Sequence, residues 1–301
     1  MREAGAALRQ LEDISVRDGV PLAGLTTWRT GGPARYLLEV RTSRGLLDAL
    51  RVLGETGVAV LVLGNGSNVL VSDTGFDGAV IRLEGSLAEV ELDGDLLTAG
   101  AGAPLAAAAA RASSAVMSGL EFATGIPGTA GGAVMTNAGT FAGSTATSLA
   151  AVEAVTLDGE AVSFDSFEDA YRMPLIGEGL IVTTTKFRLR PGDADSIKCR
   201  MREVRERRQG SQPVGVATAG SVFKNPPEEP AGRLLDSCGM KGASVGRASV
   251  SSVHANFIVN EGGASASDIK SLMDLVAGEV DARFGIRLVP EVRLIGFTEE
   301  S

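Results

Sequence analysis

The stretch Gly119-Leu120-Glu121-Phe122-Ala123-Thr124-Gly125-Ile126-Pro127-Gly128-Thr129-Ala130-Gly131-Gly132-Ala133-Val134-Met135-Thr136-Asn137-Ala138-Gly139 decides what kind of fold this chain has. Glycine stands at 119, 125, 128, 131, 132 and 139, among small and hydroxyl residues and a single proline. Such a run builds no bulky core. It can turn sharply, adopt positive φ and bring bare backbone N–H groups against a ligand, which suits a phosphate-bearing cofactor. Taken alone it fits an irregular, turn-rich connection equally well.

A second glycine run, Gly64-Asn65-Gly66-Ser67-Asn68, follows a predicted strand over 58–63 and leads into Val69-Leu70-Val71, another strand pattern. Gly64 and Gly66 match the first two spacings of a dinucleotide fingerprint. Val69 occupies the third glycine's place, and no helix follows. A phosphate here would meet loop N–H groups and the Ser67 and Asn68 side chains, without a helix dipole behind them. The chain has no G-x-x-x-x-G-K-[ST] motif, which excludes that kind of nucleoside triphosphatase.

The composition agrees with a fold built on turns and close backbone approaches: glycine makes up 39 of 301 residues and aromatics only 4%. A net charge of -9 and a pI near 4.9 argue against nucleic acid as a partner. No apolar run is long enough to span a bilayer, and residues 1–10 lack a signal-peptide core, so a cytoplasmic protein without membrane insertion is expected. Cys199 and Cys238 form no C-x-x-C and read as reduced structural thiols. His254 is the sole histidine, which removes two-histidine metal motifs, and no metal is expected.

Periodicity predicts helices over 45–57, 104–118 and 196–209, and a short one over 231–238. Ser265 and Asp268 read as a capping box opening a longer helix that ends at Gly285. A last strand over 286–295 is expected to hold Glu291. The texture changes at Pro191-Gly192-Asp193, the expected domain boundary. In Ala219-Gly220-Ser221-Val222-Phe223-Lys224-Asn225-Pro226 a hydroxyl, a cation and an amide lie close together without an obvious packing role; a turn hydroxyl is the plainer reading of Ser221.

These motifs occur in order with Tyr171-Arg172, His254-Ala255-Asn256-Phe257-Ile258-Val259-Asn260 and Pro290-Glu291-Val292-Arg293. As a set, over roughly residues 20–297, the chain resembles the UDP-N-acetylenolpyruvoylglucosamine reductase family. The resemblance implies an α+β fold: a two-lobed oxidase-type FAD-binding domain over 1–193, with lobes of about 1–85 and 86–193, and FAD in the cleft between those lobes. A smaller α+β substrate-binding domain would follow over 194–301, its last strand able to return to the flavin domain. Gly64, Asn65, Gly66, Ser67, Asn68, Gly125, Ile126, Pro127, Gly128, Gly131, Gly132, Asn137 and Gly139 would hold the FAD.

The implied activity is NADPH-dependent reduction of a UDP-sugar enolpyruvyl ether, giving UDP-N-acetylmuramate for peptidoglycan. Ser221 would supply the proton, Arg172 and Glu291 would stabilise the enol form of the substrate carboxyl group, and Tyr171, Lys224 and Asn225 would contact substrate. Singly, Arg172 reads as a surface cation, Glu291 as a strand-edge carboxylate and His254 as a satisfied structural histidine. The chain departs from the family's usual pattern at Met173-Pro174 and at Ser144, where a carboxylate is expected. The short 179–190 connection matches the compact subclass without an inserted tyrosine loop. A flavin oxidase or dehydrogenase of a small hydroxy acid, and a non-catalytic flavin or UDP-sugar sensor, are the alternatives; a monomer is expected.

Overall fold

The computed structural model describes residues 2–297, with Arg2 at the level of its backbone. The chain is α+β and forms two compact units. The first comprises the residues up to Asp18, Arg35–Asn65 and Gly78–Arg207; the second comprises Gly19–Ala34, Gly66–Asp77 and the chain from Arg208 onward. This division differs from the single boundary expected near residue 193. Two early segments belong with the C-terminal third because their apolar side chains are packed there. Trp28 and Leu70, both fully buried, lie in one core with Val222, Phe223 and the inward face of the last helix.

In the first unit, four strands run in the order Ile14–Pro21, Pro33–Val40, Phe76–Leu83, Val60–Val62, the last pair parallel. A five-stranded antiparallel sheet has the order Ala161–Phe164, Leu149–Thr156, Leu180–Arg188, Leu96–Gly100, Val90–Asp93. Around these pack helices α1 (Arg2–Leu8), α2 (Ser43–Thr56), α3 (Leu105–Ser114), α4 (Ala130–Thr136) and most of α5 (Ala194–Ser211). Helix α2 shows how the sequence sets such an element. Thr42 caps its start, accepting from Gly45 N, and Gly57 in the left-handed region closes its end. Leu46, Leu50 and Leu53 turn inward, each burial contributing about 1.5–3 kcal/mol.

Two helices depart from expectation. Helix α3 stops at Ser114, four residues short of the end expected at Ser118. Val116 takes φ +58, its N–H bonds Ser113 O, its carbonyl accepts from Gly192 N, and Met117–Ser118 leaves as a short strand. Helix α4 lies inside the glycine stretch that composition marked only as turns. It forms because Thr129 caps it and because small residues let it approach a neighbouring strand end. A Cβ on Gly131 would sit 2.8 Å from Ala101 Cβ.

The second unit holds α6 (Ala231–Ser237), α7 (Ala266–Phe284) and an antiparallel sheet of Ser244–Val245, Ala248–Val250 and Ile258–Asn260. The capping box is present: Ser265 Oγ accepts from Asp268 N and Asp268 accepts from Ser265 N. Asp73 adds a second cap, accepting from the amides of Ala266 (2.7 Å) and Ser267 (2.9 Å). Trp28 Nε1 donates to Ile258 O (2.8 Å), and Asn260 Nδ2 donates to Trp28 O (2.8 Å). The last strand is Arg293–Ile295, parallel to Val69–Val71, so Glu291 precedes it instead of lying within it.

Candidate active site

In the first unit, the two glycine loops are joined directly. Asn65 Nδ2 donates to Pro127 O (2.7 Å), and Gly64 lies so close to Thr129 that a Cβ there would be 2.6 Å from its Oγ1. Of the six glycines of the opening stretch, only Gly119 (φ +134) and Gly125 (φ +77) need positive φ. Gly139 is glycine for closeness, since its Cβ would fall 2.7 Å from Gly143 O. Glu121, the one carboxylate of this stretch, is buried and engaged locally, accepting from Ser118 Oγ (2.6 Å) and Gly119 N (2.8 Å). Beside Gly125, the buried Thr124 hydroxyl has no hydrogen-bond partner among the described residues. A buried donor left unmade costs about 1–3 kcal/mol.

Arg172 also belongs to the first unit and takes φ +51, a conformation that a bulky side chain adopts only under constraint. Its guanidinium lies over the Tyr171 ring and donates to Asn137 O (3.1 Å) and Gly139 O (3.3 Å). Asn137 is buried at the left-handed end of α4. Its side-chain nitrogen donates to Asp169 Oδ1 (2.8 Å) and Ala170 O (3.0 Å), and its Oδ1 accepts from Ala146 N (3.1 Å). The Asn137 side chain is therefore fully engaged inside the protein. Ser144, which replaces the expected carboxylate, donates to Asp169 Oδ1 (2.8 Å), so a carboxylate does reach that spot, from residue 169.

In the second unit, Ser221 follows Gly220 (φ +80), and the residues after it are bridged antiparallel to the 289–291 segment, Phe223 opposite Pro290. Glu291 N donates to Val222 O (2.8 Å) and Lys224 N donates to Val289 O (2.9 Å). Asn256 grips the same segment. Its Oδ1 accepts from Phe223 N (3.0 Å), its Nδ2 donates to Phe223 O (2.8 Å), and its carbonyl accepts from Val222 N (2.9 Å). Asn225 Oδ1 accepts from Ala231 N at the start of α6 (3.0 Å).

The Gly64–Asn68 loop is where the chain passes from the first unit to the second, after Asn65. A Cβ on Gly66 (φ +61) would lie 2.1 Å from Leu25 O, and Gly66 O accepts from Thr27 N. Asn68 Nδ2 donates to Glu291 O (3.1 Å), and Asn68 O accepts from Arg293 N (3.0 Å). Part of the predicted cofactor loop thus supports the Glu291 segment. Thr124, Asp169 and Asn256 were not singled out by sequence, although Thr124 and Asn256 lie inside quoted motifs. Nothing in one sequence distinguishes a clamp from its neighbours.

Residues 34–165 match the family described as FAD binding domain, and residues 212–295 match the C-terminal domain of UDP-N-acetylenolpyruvoylglucosamine reductase. A reductase of that name from Rubrobacter xylanophilus is 44% identical over 92% of this chain and 94% of its own length. One from Anaeromyxobacter dehalogenans is 44% identical over 97% of this chain and 89% of its own. The chain belongs to the UDP-N-acetylenolpyruvoylglucosamine reductase family. The crystal structure of the Thermus caldophilus reductase superposes with a TM-score of 0.82 at 39% identity, covering 94% of this chain and 99% of that one. Membership of the reductase family disfavours both the hydroxy-acid oxidase and the non-catalytic sensor.

FAD and NADPH are the cofactors of this reductase family, and the first unit suits FAD. The loops offer neutral amides and hydroxyls, the nearby Glu121 carboxylate is already engaged, and the Thr124 hydroxyl is left for a ligand to satisfy. Among the described residues no cluster could hold a metal ion, and no helix is long and apolar enough to cross a membrane.

Proposed function

We propose that Ser221 is the proton donor of the reductase reaction and that Arg172 and Glu291 stabilise the enol form of the substrate carboxyl group. The chain is an FAD- and NADPH-dependent oxidoreductase of peptidoglycan precursor synthesis that reduces UDP-N-acetylglucosamine enolpyruvate to UDP-N-acetylmuramate. When bound, the flavin supplies hydride chemistry. The remaining task is a proton delivered to the carbon beside the one that gains hydride, while the carboxyl group carries extra charge. A guanidinium held by two carbonyls and a ring is pre-oriented for that charge, so its reorganisation cost is low.

The single observation that carries the assignment is the Glu291 N to Val222 O bond, which puts the Glu291 and Ser221 segments in fixed register. Ser221 Oγ then acts as general acid, and Lys224 and Asn225, next along the same segment, contact the nucleotide sugar. Gly64, Asn65 and the Gly125–Gly128 loop, with Thr124, hold the cofactor. NADPH and a nucleotide sugar as reactants suit a cytoplasmic enzyme. Stopped-flow measurement of each half-reaction tests the roles. Ser221→Ala is expected to leave reduction by NADPH near normal and to slow reoxidation by the enolpyruvyl sugar, whereas equal slowing of both overturns the assignment.

A further inference from the structure

His254 lies outside the machinery just assigned, yet its imidazole touches both anchors of the 221–225 segment. On one side, Nδ1 accepts a hydrogen bond from Asn256 N (3.1 Å), the same Asn256 that holds Val222 and Phe223 by three hydrogen bonds. On the other, the ring lies against the first turn of α6, where a Cβ on Gly232 would come within 2.6 Å of Cε1. That turn is tied to Asn225 through Ala231 N. The Phe257 ring packs edge-on at 4.9 Å, and Ser251 Oγ accepts from the amides of Val253 and His254, so the imidazole has little freedom to turn.

An imidazole that accepts at Nδ1 is neutral, with its proton on Nε2. Adding a proton at Nδ1 sets two donors, Nδ1–H and the Asn256 N–H, face to face, and the bond becomes a repulsion. We propose that His254 is a positioning residue: its neutral ring holds Asn256, and through it the Ser221 segment, in working register, and protonation of the ring releases that segment. The inference rests on the role assigned to Ser221. Burial lowers the His254 pKa below its ordinary value, Lys241 lowers it further, and Asp236 opposes them. Lys241 and Asp236 pair with each other at 2.9 Å, and the 251–257 loop itself has no other titratable side chain. The clamp is therefore intact at neutral pH and lost only as pH falls below the usual histidine range.

Two measurements on the holoenzyme test this. The first is the pH profile of reoxidation by the enolpyruvyl sugar. The wild type is expected to lose rate on the acid side with one inflection. His254→Asn, which keeps a non-titrating acceptor at the δ position, is expected to flatten that limb while holding the neutral-pH rate within about threefold. His254→Phe, which keeps a ring but no acceptor, is expected to fall about tenfold at all pH values, with reduction by NADPH unchanged. An acid inflection that survives in His254→Asn overturns the proposal.

The second measurement is amide hydrogen exchange of the wild type between pH 8 and 5, corrected for intrinsic rates. Protection at Val222, Phe223 and Asn256 is expected to drop with pH while that of α7 holds, and constant protection overturns the proposal. Because this readout needs no turnover, it tests the clamp even if the enolpyruvyl sugar proves not to be the substrate. In that case the functional assignment fails and the clamp is judged separately.

Discussion

The glycine loops of the first unit and the serine loop of the second solve the same problem, holding irregular backbone still, by opposite means. Around 64–65 and 119–139 the chain is fixed chiefly by close approach, with Gly64 against Thr129, Gly131 against Ala101 and Gly139 against Gly143, and side-chain amides of Asn65 and Asn137 tie its edges. Around 221–225 it is fixed by side-chain amides, Asn256 gripping Val222 and Phe223 while Asn68 holds the facing Glu291 segment. Close approach keeps side chains away and leaves the Thr124 hydroxyl without a partner among the described residues. Amide clamps instead consume polar groups to fix one side chain's neighbourhood. The first device suits recognition of a large cofactor and the second suits placement of a reacting atom.

The largest effect that would break this contrast is kinetic. Ser221→Ala is expected to lower the substrate half-reaction by about 10²–10⁴-fold, the usual worth of a positioned general acid. A loss below tenfold, measured by stopped-flow absorbance, would mean that the clamped loop does not deliver the proton. Next comes the clamp itself. Asn256→Leu has nearly the same shape but leaves Phe223 N and O buried without partners, for an expected loss of about 2–4 kcal/mol in urea unfolding.

The cofactor side should respond with the other sign. Thr124→Val removes an unsatisfied buried hydroxyl without changing shape. The apoprotein is expected to gain about 1 kcal/mol while FAD affinity falls about tenfold, read by thermal melts without and with added FAD. If stability falls in the absence of FAD, the hydroxyl has a protein partner and the contrast weakens. The smallest effect concerns Asp73. Burial alone would raise its pKa, but hydrogen bonds from the Ser267 hydroxyl and the Ala266 and Ser267 amides outweigh it and hold the carboxyl below its ordinary range. A depressed carboxyl stabilises the fold above its unfolded pKa, and the contribution disappears as pH falls through the folded one. Asp73→Asn should therefore flatten the acid end of the stability profile by a few tenths of a kcal/mol, measured by denaturant melts between pH 2 and 5 (about the window for one aspartate).

Much of the local structure was legible from spacing. The Ser265/Asp268 capping box, the Gly57 and Gly285 helix ends and the amphipathic face of α2 all follow from interactions within a few residues. The stop of α3 at Ser114 was not legible, because it depends on Gly192 reaching Val116 O from a distant segment. Helix α4 was hidden for the same reason: its first amides, on Ala130 and Gly131, bond the distant Ala103 and Ala101 carbonyls, and this anchoring, not its own propensity, makes a run with two glycines helical. At the candidate site, Ser221, Arg172 and Glu291 came from the family pattern. The groups that hold them, Asn256, Asn137 and Asp169, emerged only from hydrogen bonds between segments far apart in sequence.

By itself the sequence determined the family, the order and type of most elements, and the residue types available for proton transfer and charge stabilisation, since motifs and periodicities are short-range. Only the tertiary structure decided that residues 19–34 and 66–77 belong with the C-terminal third, that Glu291 comes before its strand, and that one asparagine sets the register of the serine loop. Those outcomes depend on which buried surfaces and unpaired amides meet across long chain separations. That is a property of packing, and no window of sequence contains it.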